Sequence, residues 1–288
     1  MGHAGWLGDG SFAHVHGWLL WLKTHAHGWG ALLLGLFTEK PDLVSSTDAY
    51  AERFAGPVGR WMLRIQCRSL MKQLRPWPRA DLLDVGGGHG QYTRALADAG
   101  HDVTVLGSAP ETMRRIESLV RAGRCRFVVG DLLRLPYADQ SFDIVISFRQ
   151  LAHLDQWQPW IEELCRVARR AVILDFPPRR SFNRTNRLLF PLKRILENRT
   201  TRRYRVLEEA DVVRVFQQQG FTPTGRIAQF CLPMVLHRTL RWPRFSRTVE
   251  RALWRRGWTE RFGSPVILRC ERAPDDPCPS APAGRDIH

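Results

Sequence analysis

Five short β-rich apolar runs with helical patterns between them constrain this chain more than any other feature. They read LLDV (82–85), DVTVL (102–106), RFVV (126–129), DIVIS (143–147) and AVILDF (171–176). Runs of this kind suit strands buried on both faces of a parallel sheet. The segments 90–99, 110–121 and 156–168 carry helical periodicity, which supplies the covering layers. Upstream, an amphipathic run extends from Asp48 to Leu74 with an interruption at Gly56-Pro57, and Pro76-Trp77-Pro78 ends it. Downstream, LEEADVVRVFQQQG (207–220) reads as a helix closing on Gly220, 221–230 suits a strand, 233–256 is helical, and SPVILRC (264–270) is a final strand.

A chain of 288 residues holds one large domain or two small ones. With 44% hydrophobic and 25% charged residues, it is neither a disordered chain nor a multi-span membrane protein. Its net charge of +15 is uneven: residues 1–148 carry 16 basic and 14 acidic side chains, residues 149–288 carry 27 and 14. The segment Arg179 to Arg205 alone holds ten basic residues and one acid, Glu197. The six cysteines form no CxxC pair, which speaks against a zinc site or a disulfide scaffold and for reduced thiols in the cytoplasm. His14, His16, His25 and His27 are spaced i,i+2 and do not share a helix face, so no metal is expected. Residues 17–37 are apolar but broken by Lys23, His25 and His27, too short for a membrane span. The first 22 residues lack the basic start of a secretory signal. Residues 1–45 are expected to be a poorly ordered apolar leader, with interfacial attachment through Trp18, Trp21 and Trp29 as the alternative. Residues 46–272 form the expected domain, and 273–288 a disordered, proline-rich tail.

The sharpest motif is DVGGGHG, Asp84 to Gly90, at the junction of the first strand and its helix. Glycines there let the backbone approach a ligand closely, and the helix start offers unpaired N–H groups to an anion. The dinucleotide pattern GxGxxG needs a glycine at the position held by Gln91, so the motif is instead Asp84-x-Gly86-x-Gly88-x-Gly90.

This motif, Asp131 after the third strand and Ser141-Phe142-Asp143 before the fourth, in that order, resemble the class I S-adenosylmethionine-dependent methyltransferases. The likeness is to the small-molecule branch similar to the ubiquinone/menaquinone-biosynthesis methyltransferases, and it covers roughly residues 48–272. It implies an α/β fold: a Rossmann-like, doubly wound sheet of seven strands, mostly parallel with one antiparallel, plus helical lid insertions. It implies S-adenosyl-L-methionine as cofactor, with Asp84, Gly86, Gly87, Gly88 and Gly90 around its methionine part. Asp131 is implied to accept from the adenine amino group, Leu132 to pack on the ring, and Tyr50 to cover the site from an N-terminal helix.

One departure stands out. The family carries an acid at the end of the second strand, for the ribose hydroxyls; here that position is Gly107, followed by Ser108, with Glu111 able to reach back. Loss of a charge-assisted bond costs ~1.5–3 kcal/mol. A non-catalytic cofactor binder is therefore an alternative to an enzyme, whereas a dehydrogenase would need that same acid.

Methyl transfer needs alignment more than a nucleophilic triad, and a phenol or carbon acid benefits from a base. His153, after the fourth strand, is the first candidate catalytic residue, with a structural role as the competing reading. His89, Asp175, Tyr204 and His237 are weaker candidates. The segments 178–205 and 231–258 are read as a substrate lid, basic and apolar together. The resemblance implies methylation at oxygen or carbon, and the lid's composition points to a small apolar-anionic acceptor and a peripheral membrane contact. Nucleic acid is disfavoured, because no recognised RNA module flanks the basic segment; an RNA or protein methyltransferase is the further alternative.

Overall fold

The structure, a computed structural model, describes residues 39–181 and 205–273. Three helices precede the sheet: α1 (Pro41–Ser45), α2 (Asp48–Glu52) and α3 (Gly56–Gln73). Proline at the start of α1, the Thr47 side chain accepting from the Tyr50 N–H, and proline in the first turn of α3 mark the three starts. The first strands are β1 (Asp81–Val85), β2 (Asp102–Gly107), β3 (Arg126–Val129), β4 (Phe142–Ser147) and β5 (Ala168–Phe176). Between them run α4 (Thr93–Asp98), α5 (Glu117–Arg121) and α6 (Trp157–Val167). The chain continues through α7 (Glu209–Gln218), β6 (Phe221–Phe230), α8 (Met234–Leu240), α9 (Pro243–Arg255), α10 (Trp258–Phe262) and β7 (Ser264–Arg272).

The strands form one sheet in the order β3-β2-β1-β4-β5-β7-β6. β7 alone is antiparallel to its two neighbours, β5 and β6, and the pairs from β3 to β5 are parallel. The expected seven-stranded sheet with one antiparallel strand is what the chain forms. Alternation along the central strands sends side chains to opposite faces. Leu83, Val145 and Val172 pack with Ile161 and Leu164 of α6 and Phe216 of α7. Leu82, Ile144 and Ile173 pack with Leu70 of α3, Leu96 of α4 and Leu119 of α5. Each such leucine or isoleucine, fully removed from water, contributes about 1.5–3 kcal/mol, so burial on both faces explains the lack of polar alternation in these runs.

Several elements differ from their sequence reading. The helix expected over 90–99 is a 3₁₀ turn at Gly87–His89 followed by α4, because Gly86 and Gly90 take left-handed conformations that break regular winding. The run 110–121 is a 3₁₀ segment, Pro110–Arg115, and then α5. The run 233–256 splits into α8 and α9 at Pro243, with Arg241 in a left-handed conformation. α1 lies inside the stretch read as a leader, and its Asp42 and Ser45 are buried. Residues 1–38, the Arg-rich stretch 182–204 of the expected lid with Tyr204, and the tail 274–288 lie outside the described residues.

Candidate functional site

Parallel strands leave a crevice outside their carboxyl ends where the strand order reverses. Here that point lies between β1 and β4, because the chain proceeds from β1 outward to β3 and returns to pair β4 against β1. The glycine motif sits at that edge. Gly86 (φ 74°) and Gly90 (φ 67°) are left-handed, and the Gly86 N–H donates to Leu106 O at 2.8 Å, tying the loop to β2. A Cβ on Gly87 would fall 2.1 Å from the Asp84 carboxylate, and one on Gly88 would fall 2.3 Å from Thr112 O. Both positions therefore demand glycine for space rather than for conformation.

Asp84 is wholly buried beneath this loop, and neither of its carboxylate oxygens has a hydrogen-bond partner. Burial pushes its pKa up to about 7. His89 is buried too; its Nδ1 accepts from the Gln91 N–H at 3.2 Å while Nε2 is unpartnered. Burial first, and then Arg149 and Arg115, hold its pKa well below the usual histidine value, so the ring is neutral.

An acid from elsewhere in the chain reaches the end of β2. The Asp42 carboxylate of α1 accepts from both the backbone N–H (2.7 Å) and the hydroxyl (2.5 Å) of Ser108, and both residues are fully buried. Glu111, considered as a substitute, is exposed. A Cβ on Gly107 would fall 2.0 Å from Thr112 Oγ1, so no acidic side chain fits there without moving that turn. The segment 39–46 continues over the crevice. Glu39 accepts from the N–H groups of Asp155 and Gln156 beyond β4, at 2.7 and 3.0 Å. The Ser46 hydroxyl lies 2.8 Å from where a Gly88 Cβ would be. Gln150 adds to the cover, donating to Gly86 O at 3.0 Å. Asp131 is half-buried and accepts from the Leu133 N–H at 2.9 Å. Leu132, expected on a ligand face, is fully buried in the same apolar cluster as Leu83 and Leu106.

Beside the crevice lies a cavity of about 180 Å³, lined by Tyr50, Phe54, Arg149, His153, Asp175 and Met234 among others. It brings together the two sequence candidates Tyr50 and His153, one strand away from the glycine loop. Arg149 dominates its electrostatics. The residue follows β4 with φ 66°, a conformation that costs a non-glycine residue free energy and gathers at functional sites. Asp175 at the end of β5 holds it there, accepting the Arg149 N–H at 2.6 Å. The guanidinium lies 4.3 Å from the Phe54 ring centroid and 5.7 Å from that of Tyr50, and donates to Gln66 Oε1 at 2.8 Å. Its Nη1 is buried and unpartnered. Burial raises the Asp175 pKa to about 6, against the opposing pull of its bond from Arg149 and the nearby guanidinium. His237, by contrast, is structural: it is buried against Trp61 and Phe230 with Nε2 2.8 Å from Glu250 Oε1.

A family profile described as a methyltransferase domain matches residues 83–174, from β1 to β5. Residues 83–174 are thus similar to a methyltransferase domain. The chain is 34% identical over 149 residues to a demethylmenaquinone methyltransferase of Deinococcus radiodurans, covering 46% of this chain and 61% of that protein. It is 30% identical over 122 residues to a ubiquinone/menaquinone biosynthesis C-methyltransferase of Roseobacter denitrificans, covering 39% and 49%. It is 31% identical over 106 residues to an O-methyltransferase of Pyrenophora dematioidea, covering 35% and 39%. The chain thus spans between 39% and 61% of the length of these relatives. Among solved structures, the magnesium protoporphyrin IX methyltransferase of Synechocystis with bound SAH superposes with a TM-score of 0.55 at 19% identity, over 78% of this chain and 94% of that one. The likeness to quinone-biosynthesis methyltransferases expected from the motifs is borne out, and so is the fold.

Residues of this matched stretch suit such a cofactor. A buried carboxylate without partners, as at Asp84, is matched by a cationic or N–H-donating ligand group reached through the loop or a water. Asp42, Arg149 and Gln150 escaped the sequence reading. The Lys40-Pro41-Asp42 start, proline followed by an acid, was the available signal for α1; nothing local marks Arg149, whose partners come from α2, α3 and β5.

Proposed function

We propose that the protein is an S-adenosylmethionine-dependent methyltransferase acting on oxygen or carbon of a small apolar anion held in the cavity. The observation that carries this reading is a partly unpaired, aromatic-clamped Arg149 in a one-ring-sized cavity beside the methyltransferase glycine loop. When bound, the cofactor supplies a methyl group on a positively charged sulfur. Asp84, Gly86, Gly87, Gly88 and Gly90 would hold its methionine part, with Asp42, Ser108 and Asp131 on the nucleoside side. Arg149 binds the acceptor's anionic group, Phe54 and Tyr50 exclude water, and alignment supplies most of the acceleration. Asp175 is the better-placed base: with a pKa about 6 it is ionised at neutral pH, faces the cavity and can take an acceptor proton. His153 shares the wall as the second base. The five described cysteines are free, in keeping with a cytoplasmic protein that meets a membrane peripherally.

A second reading, a cofactor binder without turnover, draws on the 39–46 segment lying over the crevice. Incubation with S-adenosylmethionine and a panel of hydroxybenzoates, naphthols and quinols, read by mass spectrometry, separates the two. The enzyme reading expects a product heavier by one methyl group, and at least a tenfold fall in kcat/KM for carboxylate acceptors in Arg149→Gln. Binding of the cofactor with no product across the panel supports the second reading. Calorimetry showing no binding of the cofactor or its demethylated product at millimolar concentration sinks both.

A further inference from the structure

Among the described residues, eight large apolar side chains are exposed, and six of them lie between positions 236 and 258: Leu236, Leu240, Trp242, Phe245, Trp254 and Trp258. α9 turns only Ser246 and Glu250 fully inward. Beside that inward face it presents Arg244, Arg247, Arg251 and Arg255, three or four residues apart and therefore on one exposed stripe. Phe245 and Trp254 fall on either edge of that stripe, and Trp242 stacks on Phe245 at 5.5 Å. Between α9 and α3 runs a groove of about 810 Å³ whose walls include Arg64, Arg68, Arg247, Arg251 and Arg255. Its one acid, Glu250, is spent inside the fold: it accepts from the Cys231 and Leu232 N–H groups and meets His237. None of these arginines has an ion-pair partner among the described residues, whereas Arg126, Arg166, Arg169 and Arg226 elsewhere on the molecule all do.

We propose that this face, α8 to α10 with the outer side of α3, docks on a membrane surface of anionic phospholipid. Arginines without internal carboxylate partners match lipid phosphates, and tryptophan and phenylalanine side chains settle at headgroup depth. The exposed leucines of α8 decide between lipid and nucleic acid. Bases stack on aromatic side chains, but Leu236 and Leu240 gain only from an acyl layer. The docking face also adjoins the cavity, because α8 contributes Met234, Val235 and Arg238 to its wall. On the acceptor reading given above, on which this clause rests, an amphiphilic acceptor passes from bilayer to cavity along one helix.

Flotation of the full chain with vesicles tests this without cofactor or acceptor, so its failure leaves the methyltransferase reading standing. Vesicles of phosphatidylcholine with about one-third phosphatidylglycerol should capture the protein at least tenfold better than phosphatidylcholine alone, and roughly 0.3 M salt should weaken capture. Arg247→Glu with Arg251→Glu should lose about tenfold with a thermal midpoint that does not fall, and Trp242→Ala with Phe245→Ala should lose further. Equal capture by both vesicle types overturns the proposal. So does displacement from the vesicles by a short single-stranded RNA at equal phosphate concentration, which would make nucleic acid the partner. The lipid and salt arms decide the matter even where a variant fails to fold.

Discussion

Asp84 places a carboxylate under the glycine loop with no bonding partner for either oxygen, and that arrangement has a pH signature. Its pKa of about 7 in the folded chain lies above the ordinary 3.8. Between roughly pH 4 and 7 the folded state therefore binds a proton that the unfolded state has lost, so stability falls as pH rises through this window. The full difference is on the order of 4 kcal/mol. Asp175, at about 6, acts in the same direction over a narrower window. Asp84→Asn is thus expected to raise the thermal midpoint at pH 8, to leave it nearly unchanged at pH 4, and to weaken cofactor binding at least tenfold. Thermal unfolding at both pH values and calorimetry check the three outcomes. A midpoint that falls at pH 8 would mean that Asp84 has a stabilising partner. The conflict between stability and function is the expected mark of a ligand-dependent residue.

At the scale of elements, one buried side chain fixes the basic face. Glu250 of α9 satisfies two backbone N–H groups at the end of β6 and pairs with His237 of α8. Glu250→Ala should lower stability by about 2–4 kcal/mol, since it leaves two buried donors unpaired, and limited proteolysis should then cut first within 231–258. Gln in its place keeps one acceptor and should cost less. The same helices show what the sequence could tell. β1 to β5 were legible because burial on both faces writes unbroken apolar runs, and the glycine motif was legible because tight turns leave little choice of residue. The split of 233–256 was written locally, in Pro243. The site was only half legible. Tyr50 and His153, singled out from the sequence, line the cavity, but α1 bears on the crevice through Asp42, 66 positions from its partner Ser108, and Arg149 is placed by Phe54, Gln66 and Asp175. No periodicity reports contacts of that range.

For the whole molecule, charge is sorted rather than merely abundant. Arginines near the strand ends and on α6 answer carboxylates, while those of α9 and the outer side of α3 repel one another. Added salt screens that repulsion, so raising ionic strength from about 20 to 200 mM should lift the thermal midpoint by a few degrees. Charge reversal at Arg247 and Arg251 should abolish that dependence. The segment from Glu39 to Ser46 has a different kind of consequence. It ties the loop after β4, through Glu39, to the loop after β2, through Asp42, so a ligand entering between those loops would wait for the ties to release. Association would then have a ceiling: in stopped-flow mixing, the observed rate should stop rising with cofactor concentration once lifting is the slow step. Asp42→Asn should raise that ceiling. On that outcome the chain ahead of the matched residues would act as a clock, setting when the crevice accepts a ligand rather than which ligand it accepts.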